Sequence, residues 1–187
     1  MKVSLQADRQ RVDQLRSADE AAWEELFREI YPAMVTYARR RLGTDQALDA
    51  ASECMTRAIA GASRIPLDGC TAQAWVFGIL RHVVIDQQRK IYRYRALMQR
   101  IPRIPFASEE LQGEALIEAD DQSDVRVAFS KLSLRDQEIL ELLVVAGLKA
   151  EEVSKILGVR SGTIRNVRYR ALNRLRNHLE NAGGMTP

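Results

Sequence analysis

Cysteine and histidine are scarce in this chain: two of each among 187 residues. Cys54 and Cys70 are separated by fifteen residues, with no Cys-x-x-Cys pattern and no histidine-rich neighbourhood. That excludes a disulfide framework and speaks against a zinc site, so both read as small buried or half-buried fillers. His82 and His178 stand alone, and there is no glycine-rich phosphate loop, no metal-ligand spacing and no nucleophile beside an evident base. The expectation is a protein that is not an enzyme and needs no cofactor and no metal. Long apolar runs are missing too. The longest, residues 142–148, spans seven residues, far short of the roughly 20 that a transmembrane helix needs. The opening Met-Lys-Val-Ser-Leu-Gln-Ala-Asp-Arg lacks the apolar segment of a secretory signal. No membrane insertion and a cytoplasmic location are expected. No segment alternates with period two between turn signals, so no sheet is expected either.

What is present is globular composition, 46% hydrophobic and 28% charged, too apolar for a disordered chain. The length allows one ordinary domain or two small ones. Net charge is only +3, but its distribution is uneven. Residues 79–103 carry seven bases (Arg81, Arg89, Lys90, Arg93, Arg95, Arg100, Arg103) against Asp86 alone. Residues 107–125 carry seven acids and no base, and residues 159–178 carry six arginines and no acid. Two basic surfaces separated by an acidic strap fit a chain that grips phosphate at both ends and keeps its middle off it. Solvated helix faces are the plain alternative for any one cluster.

Helical periodicity organises the N-terminal half. Trp23, Leu26, Phe27 and Ile30 fall at i, i+3, i+4 and i+7, with Ser17 and Asp19 available as caps. Pro32 suits the first turn of a second helix carrying Met34, Tyr37 and Ala38 inward and stopping at Leu42-Gly43. A third helix, from about Asp45 to Gly61, repeats Leu48, Ala51, Met55 and Ile59; residues 61–71 form a loop rich in punctuating residues. A fourth, from about Ala72 to Tyr94, buries Trp75, Val76, Ile79, Leu80, Val83 and Val84 before turning basic. Pro102, Pro105, Gly113 and the acidic run then break the pattern. The fold class expected is all-α: two small helical domains, 1–97 and 124–187, joined by a flexible acidic linker, 98–123, which few packed contacts cross.

In the C-terminal half, Val125, Ala128, Phe129 and Leu132 recover the helical pattern, Ser133 with Asp136 resembles a capping box, and an apolar helix runs to Gly147. The segment 147–172 then reads as helix, tight turn, helix: the spacing of a helix-turn-helix. Val153, Ile156 and Leu157 face inward, Gly158 relaxes the turn, and Ser161 is placed to cap the second helix. Ile164, Val167, Ala171, Leu172 and Leu175 share one side of that helix, leaving Arg165, Asn166, Tyr169, Arg170, Asn173 and Arg174 outside. Arginine pairs with guanine and asparagine with adenine in a major groove, and further arginines neutralise phosphate. Arg165, Asn166 and Tyr169 are therefore assigned to base edges, and Arg160, Ser161, Thr163, Arg170 and Arg174 to the DNA beside them, mainly its phosphates. Arg168 lies near the buried stripe, and its role stays open.

With both halves read, the chain resembles the bacterial RNA polymerase sigma factors, specifically the small extracytoplasmic-function (ECF) type of the sigma-70 family. The N-terminal half is similar to their region two through Asp19-Glu-Ala-Ala-Trp-Glu-Glu-Leu-Phe-Arg-Glu-Ile-Tyr-Pro, Tyr37-Ala-Arg-Arg-Arg-Leu-Gly and Ala74-Trp-Val-Phe-Gly-Ile-Leu-Arg-His-Val-Val-Ile-Asp. The C-terminal half is similar to region four through Leu132-Ser-Leu-Arg-Asp-Gln-Glu-Ile-Leu and the helix-turn-helix.

The resemblance implies that the third helix docks on core RNA polymerase, with Asp49, Ser52, Glu53 and Met55 at the motif positions. Ser52 and Met55 stand where the family usually has Gln and Phe. It implies that the fourth helix recognises and melts the minus-ten element of promoter DNA with Arg81, His82, Asp86, Arg89 and Lys90, the preceding loop shaping a pocket. Strand separation of this kind needs no catalytic residue, only a site that binds unstacked strand more tightly than duplex. His82 replaces a common Asn and reads equally as a structural residue. Region four would read the minus-thirty-five element. Lys149 replaces an expected Ser cap there and should weaken the first helix of the pair. The linker would thread the polymerase as a polyanion mimic or serve as a simple tether, and an anti-sigma factor is a common partner in the family. The main rival is a stand-alone dimeric helix-turn-helix regulator, which would bind a palindrome without polymerase.

Overall fold

The computed structural model describes residues 2–67, 70–98 and 124–183, and among them every regular element is helical. The N-terminal half is built from α1 (Lys2–Arg16), α2 (Glu20–Leu42), α3 (Thr44–Ala60), a single 3-10 turn (Ala62–Arg64) and α4 (Ala72–Met98). The C-terminal half holds α5 (Asp124–Ser130), α6 (Leu134–Leu140), a π turn (Glu141–Val145), α7 (Ala150–Leu157) and α8 (Ser161–Gly183).

The helix starts follow their caps. Asp19 accepts the Ala22 amide at 3.0 Å to open α2, and Ser133 accepts that of Asp136 at 3.2 Å to open α6. Gly43 closes α2 at φ +87°, a conformation that costs a side-chain-bearing residue energy. Pro32, expected to start a helix, lies inside α2. Its ring forfeits one backbone hydrogen bond, but Trp23, Leu26 and Ile30 before it and Met34, Tyr37 and Ala38 after it are buried on one continuous face. Tertiary packing holds both segments in line, so the two expected helices are one. Phe27 turns partly outward and stacks on Tyr31, ring centroids 4.5 Å apart.

Helix α1 was not expected. Among its described side chains Val12 and Leu15 are buried, and the Trp23 indole donates to the Leu15 carbonyl at 3.0 Å. In α3 the observed inward face differs from the expected one. Ala47, Ala50, Ala51, Cys54, Met55 and Ala58 are buried, while Leu48 and Ile59 are 45% and 50% exposed. Small residues let α3 approach α2 and α4 closely, so the face richest in alanine goes inward rather than the face with the largest side chains. Cys54 packs there with its thiol toward the Val76 carbonyl, and burial pushes its pKa up to about 12; Cys70 is half-buried. Both match the filler reading. In α4, Val76, Leu80, Val83 and Val84 are buried as expected, together with Phe77.

The expectation that few contacts cross between the halves is corrected. Ile139, Leu142, Ala146, Leu148, Val153, Ile164 and Val167 belong to the same apolar core as α2, α3 and α4. The short elements of the C-terminal half enclose only a small core of their own, with Leu132, Leu140 and Ala171 packed beside Phe129. Their remaining apolar surface is covered by the N-terminal half. The expected linker lies outside the described residues except for Met98, the last residue of α4.

Candidate nucleic-acid and polymerase interfaces

The helix-turn-helix geometry follows from its local sequence. Val153 is buried with Ile156 and Leu157 half-buried beside it, and Gly158 ends α7 in the left-handed region at φ +65°. No atom lies within 4 Å of where a Gly158 Cβ would be, so the backbone conformation and not space selects glycine. Lys149 supplies no acceptor to α7. Glu152, three residues on, accepts the Lys149 amide at 2.9 Å, one arm of a capping box. Ser161 is already helical, so it lies in the first turn of α8 and not at the cap position; the Arg160 carbonyl accepts from Thr163 and Ile164.

Ile164, Val167 and Ala171 pin α8 to the core. Arg165, Asn166, Tyr169 and Arg170 are exposed along its other side, with Arg160 and Thr163 at its start and Ser161 half-exposed. Arg168 is exposed too, which places it off the buried stripe. Leu172 is 39% exposed and Leu175 half-buried, so the inward stripe is narrower than expected. Two of the arginines are engaged internally. Arg165 pairs with Glu151, and Arg174 donates to Asp136, a buried acid, at 2.8 Å. The Arg165 pair is exposed, so water and salt screen it and a stronger acceptor can displace it. Arg174 clamps α8 to α6.

On α4, His82, Arg89 and Lys90 are exposed and Asp86 is half-buried, 3.7 Å from Arg89. Arg57 from α3 and Arg93 and Tyr92 from α4 join Asp86, Arg89 and Lys90 around one shallow depression. Sequence reading missed Arg57, because only the packing of α3 on α4 brings it beside residues 29 or more positions away. Arg81 is set apart from the others. It is half-buried and donates through Nε to Glu138 at 3.1 Å, beside the Tyr37 hydroxyl, which donates to the same oxygen at 2.8 Å. Burial raises the Tyr37 pKa well above its ordinary value, so the phenol keeps the proton it donates. Of the loop before α4, Ala62 and Ile65 are buried and Leu67 exposed; residues 68–69 lie outside the described residues.

Along α3, Asp49 and Ser52 are exposed and Glu53 half-buried, accepting from Arg57 at 2.5 Å and from Gln87 at 3.2 Å. Met55 is 6% exposed and belongs to the core, so it is not part of an outward docking face. The exposed Leu48 and Ile59 flank that face and were assigned inward on spacing alone.

Comparison with known proteins decides what these surfaces belong to. The family described as Sigma-70 region 2 matches residues 26–94, and Sigma-70, region 4 matches residues 122–175. SigD of Mycobacterium tuberculosis (strain ATCC 25618 / H37Rv), an ECF RNA polymerase sigma factor, is 31% identical over 172 residues, which are 89% of this chain and 81% of that protein. This chain belongs to the ECF RNA polymerase sigma factors. A second member, ShbA of Streptomyces griseus, is 29% identical over 84% of this ECF sigma factor and 87% of its own length. Among solved structures, the sigma factor RpoE of Bartonella quintana, determined with the anti-sigma factor NepR, superposes with a TM-score of 0.63 at 26% identity, covering 84% of this chain and 96% of that one. CnrH, determined with the cytosolic domain of CnrY, gives 0.64 at 19% identity over 94% and 98%, a likeness of fold. No helix among the described residues of this ECF sigma factor is long and apolar enough to cross a membrane.

Proposed function

We propose that this ECF sigma factor binds core RNA polymerase, directs it to specific promoters and helps melt the minus-ten element, itself supplying no catalysis. The observation that carries the reading is the exposed row Arg165, Asn166, Tyr169 and Arg170 on α8 opposite the buried Ile164, Val167 and Ala171. Such a helix can enter a major groove while its other side stays in the core. Arg165, Asn166 and Tyr169 read base edges of the minus-thirty-five element. Arg160, Thr163 and Arg170 neutralise phosphate, and Ser161 lies close to it in the first turn. Arg174 acts through its clamp on Asp136, and exposed Arg168 joins the phosphate contacts.

The basic end of α4 follows the minus-ten strand, with Arg89 and Lys90 on the backbone, Arg57 and Arg93 extending that track, and His82 nearest the bases. Asp86 orients Arg89. Cations and aromatic rings interleaved in this way hold unstacked strand without sequence-specific chemistry. Asp49, Ser52 and Glu53 form the polar centre of the polymerase-docking face, with Leu48 and Ile59 as its apolar margins. The six acids of residues 107–123 keep the tether off DNA. The protein works in the cytoplasm, where polymerase is. An anti-sigma partner is part of this proposal, supported by the similar RpoE chain having been solved with one.

The test is transcription in vitro from candidate promoters with core polymerase, with and without this chain. Promoter-specific transcripts only in its presence are expected. Tight binding to a palindromic probe without core would instead favour a stand-alone regulator.

A further inference from the structure

Helix α1 ends ahead of residue 26, where the match to Sigma-70 region 2 begins, yet it is set rigidly against that region. Its last turn closes through Ala18 at φ +61°, with the Ala18 amide donating to the Leu15 carbonyl at 3.2 Å and the Asp19 amide to that of Gln14 at 3.1 Å. A residue with a Cβ adopts this left-handed backbone at a cost, so the corner is held by what surrounds it. Asp19 caps α2, the Trp23 indole reaches the Leu15 carbonyl, and Val12 and Leu15 are buried. Arg11 adds an ion pair with Glu29 of α2 at 2.7 Å.

Arg16 is the last residue of this braced helix and is half-buried. An arginine in a last turn ordinarily serves the free carbonyls of its own helix. Here Nη1 donates instead to the carbonyl of Ile65, 49 positions away, at 2.8 Å. Ile65 is thereby fixed at three points. Its side chain is fully buried, its amide donates to the Ala62 carbonyl at 3.1 Å, and its carbonyl is taken by Arg16. A charged donor binds a backbone oxygen more strongly than a neutral one, and the planar guanidinium gives the bond a direction.

What Ile65 anchors is the turn that leaves α3 beside the basic depression. The Gly61 amide donates to the Arg57 carbonyl at 3.0 Å, so the turn starts from Arg57 itself. Exposed Arg64 lies within it. Around the point where a Gly61 Cβ would stand, the Arg57 carbonyl is 3.1 Å away, Arg64 Nη2 3.6 Å and the Trp75 ring of α4 3.6 Å. The end of α3, the turn and α4 therefore meet without slack. A shift at Ile65 is passed to Arg57 on one side and to Arg64 on the other.

We propose that Arg16 is a positioning residue for minus-ten recognition: through the Ile65 carbonyl it sets the turn Gly61–Ile65, and so the placement of Arg57 and Arg64 against the strand held by α4. The inference rests on the proposed function for the strand; the tie between Arg16 and Ile65 does not. Arg16 itself touches no DNA. A tie that only stabilised the fold would, when cut, weaken every promoter alike.

Arg16→Met keeps the aliphatic stem and removes the donor, and Arg16→Lys returns a charged donor. Open-complex formation with core polymerase is measured on a promoter the wild type uses and on its single-base variants at both elements. Arg16→Met should lower discrimination among the minus-ten variants by about fivefold or more, the share of one base pair. Discrimination at the minus-thirty-five element and affinity for core should keep their wild-type values, and Arg16→Lys should recover most of the loss. In the chain alone, the Arg64 and Ile65 amides should exchange hydrogen about tenfold faster in Arg16→Met. Equal loss at both elements, or a variant that no longer folds, overturns the proposal in favour of a structural tie. Faster exchange with unaltered discrimination does the same. A wild type that drives no promoter-specific transcription sinks the proposed function and this inference with it. A wild type that does, beside an Arg16→Met chain that discriminates equally well, sinks this inference alone.

Discussion

The N-terminal half rests on helices of 23, 17 and 27 residues packed along alanine-rich and aliphatic faces, whereas the C-terminal half reaches its one long helix through elements of seven, seven, five and eight residues. Helices that short are marginal in water by themselves. They hold here through the Ser133 cap, the Glu152 arm of a capping box, the Arg174–Asp136 clamp and the seam with the N-terminal half. A module that grips a large machine can be a self-supporting block, while one that must also read DNA at a distance is better built from separable contacts.

That contrast can be broken from either side. Glu53→Arg, on the proposed docking face, places a cation beside Arg57 and should abolish core binding without unfolding the chain. Native gel shift with core polymerase measures it, and retained affinity would move the docking face elsewhere. Phe77→Ala, at a fully buried ring edge-on to Tyr37 with centroids 6.2 Å apart, should cost about 3–5 kcal/mol in chemical denaturation. A loss below about 1 kcal/mol would mean the N-terminal core is not the tight block described. In the C-terminal half, Asn166→Ala should cost about 1–3 kcal/mol and relax preference at one or two upstream base pairs; equal loss on all promoters would argue against direct readout. Ser133→Ala should remove about 1 kcal/mol by leaving the first turn of α6 uncapped, and a matching Asp19→Ala loss in α2 should perturb the longer helix proportionally less.

The smallest expected effect is one of pH. Burial raises the Glu141 pKa above its ordinary 4.5, against the opposing pull of Arg41 and Arg40, while neighbouring Glu138 raises it further. The folded chain therefore binds this proton more tightly than the unfolded chain. Its contribution to folding stability is full below about pH 4.5 and is lost as pH rises through the raised value. Glu141→Gln should flatten that share of the pH dependence in a denaturation series, and an unchanged slope would assign it to another group.

Much of this was legible in the residues. Asp19 and Ser133 announced helix starts because a side-chain oxygen before an apolar period has one obvious use. Gly158 announced the turn, and the α8 pattern divided buried Ile164 and Val167 from exposed Arg165 and Asn166. Pro32 misled because a local rule about prolines cannot see the packing that overrides it. Leu48 and Ile59 misled because spacing gives a stripe but not which of two adjacent stripes, alanine or leucine, lets two backbones approach; Met55 is buried as its spacing indicates, and only the docking role implied by the resemblance fails for it. Helix α1 was silent because few of its residues are apolar.

Local chemistry, acting between residues a turn or two apart, was enough to specify an all-helical chain, its caps, its helix-turn-helix and its two basic surfaces. Which face of α3 turned inward, that Arg57 joined Arg89 and Lys90, and that Glu138 and Glu141 found Arg81, Arg40 and Arg41 depended on contacts between distant segments. Those contacts are set by shape and burial summed over the whole molecule, and no short window of residues carries that sum.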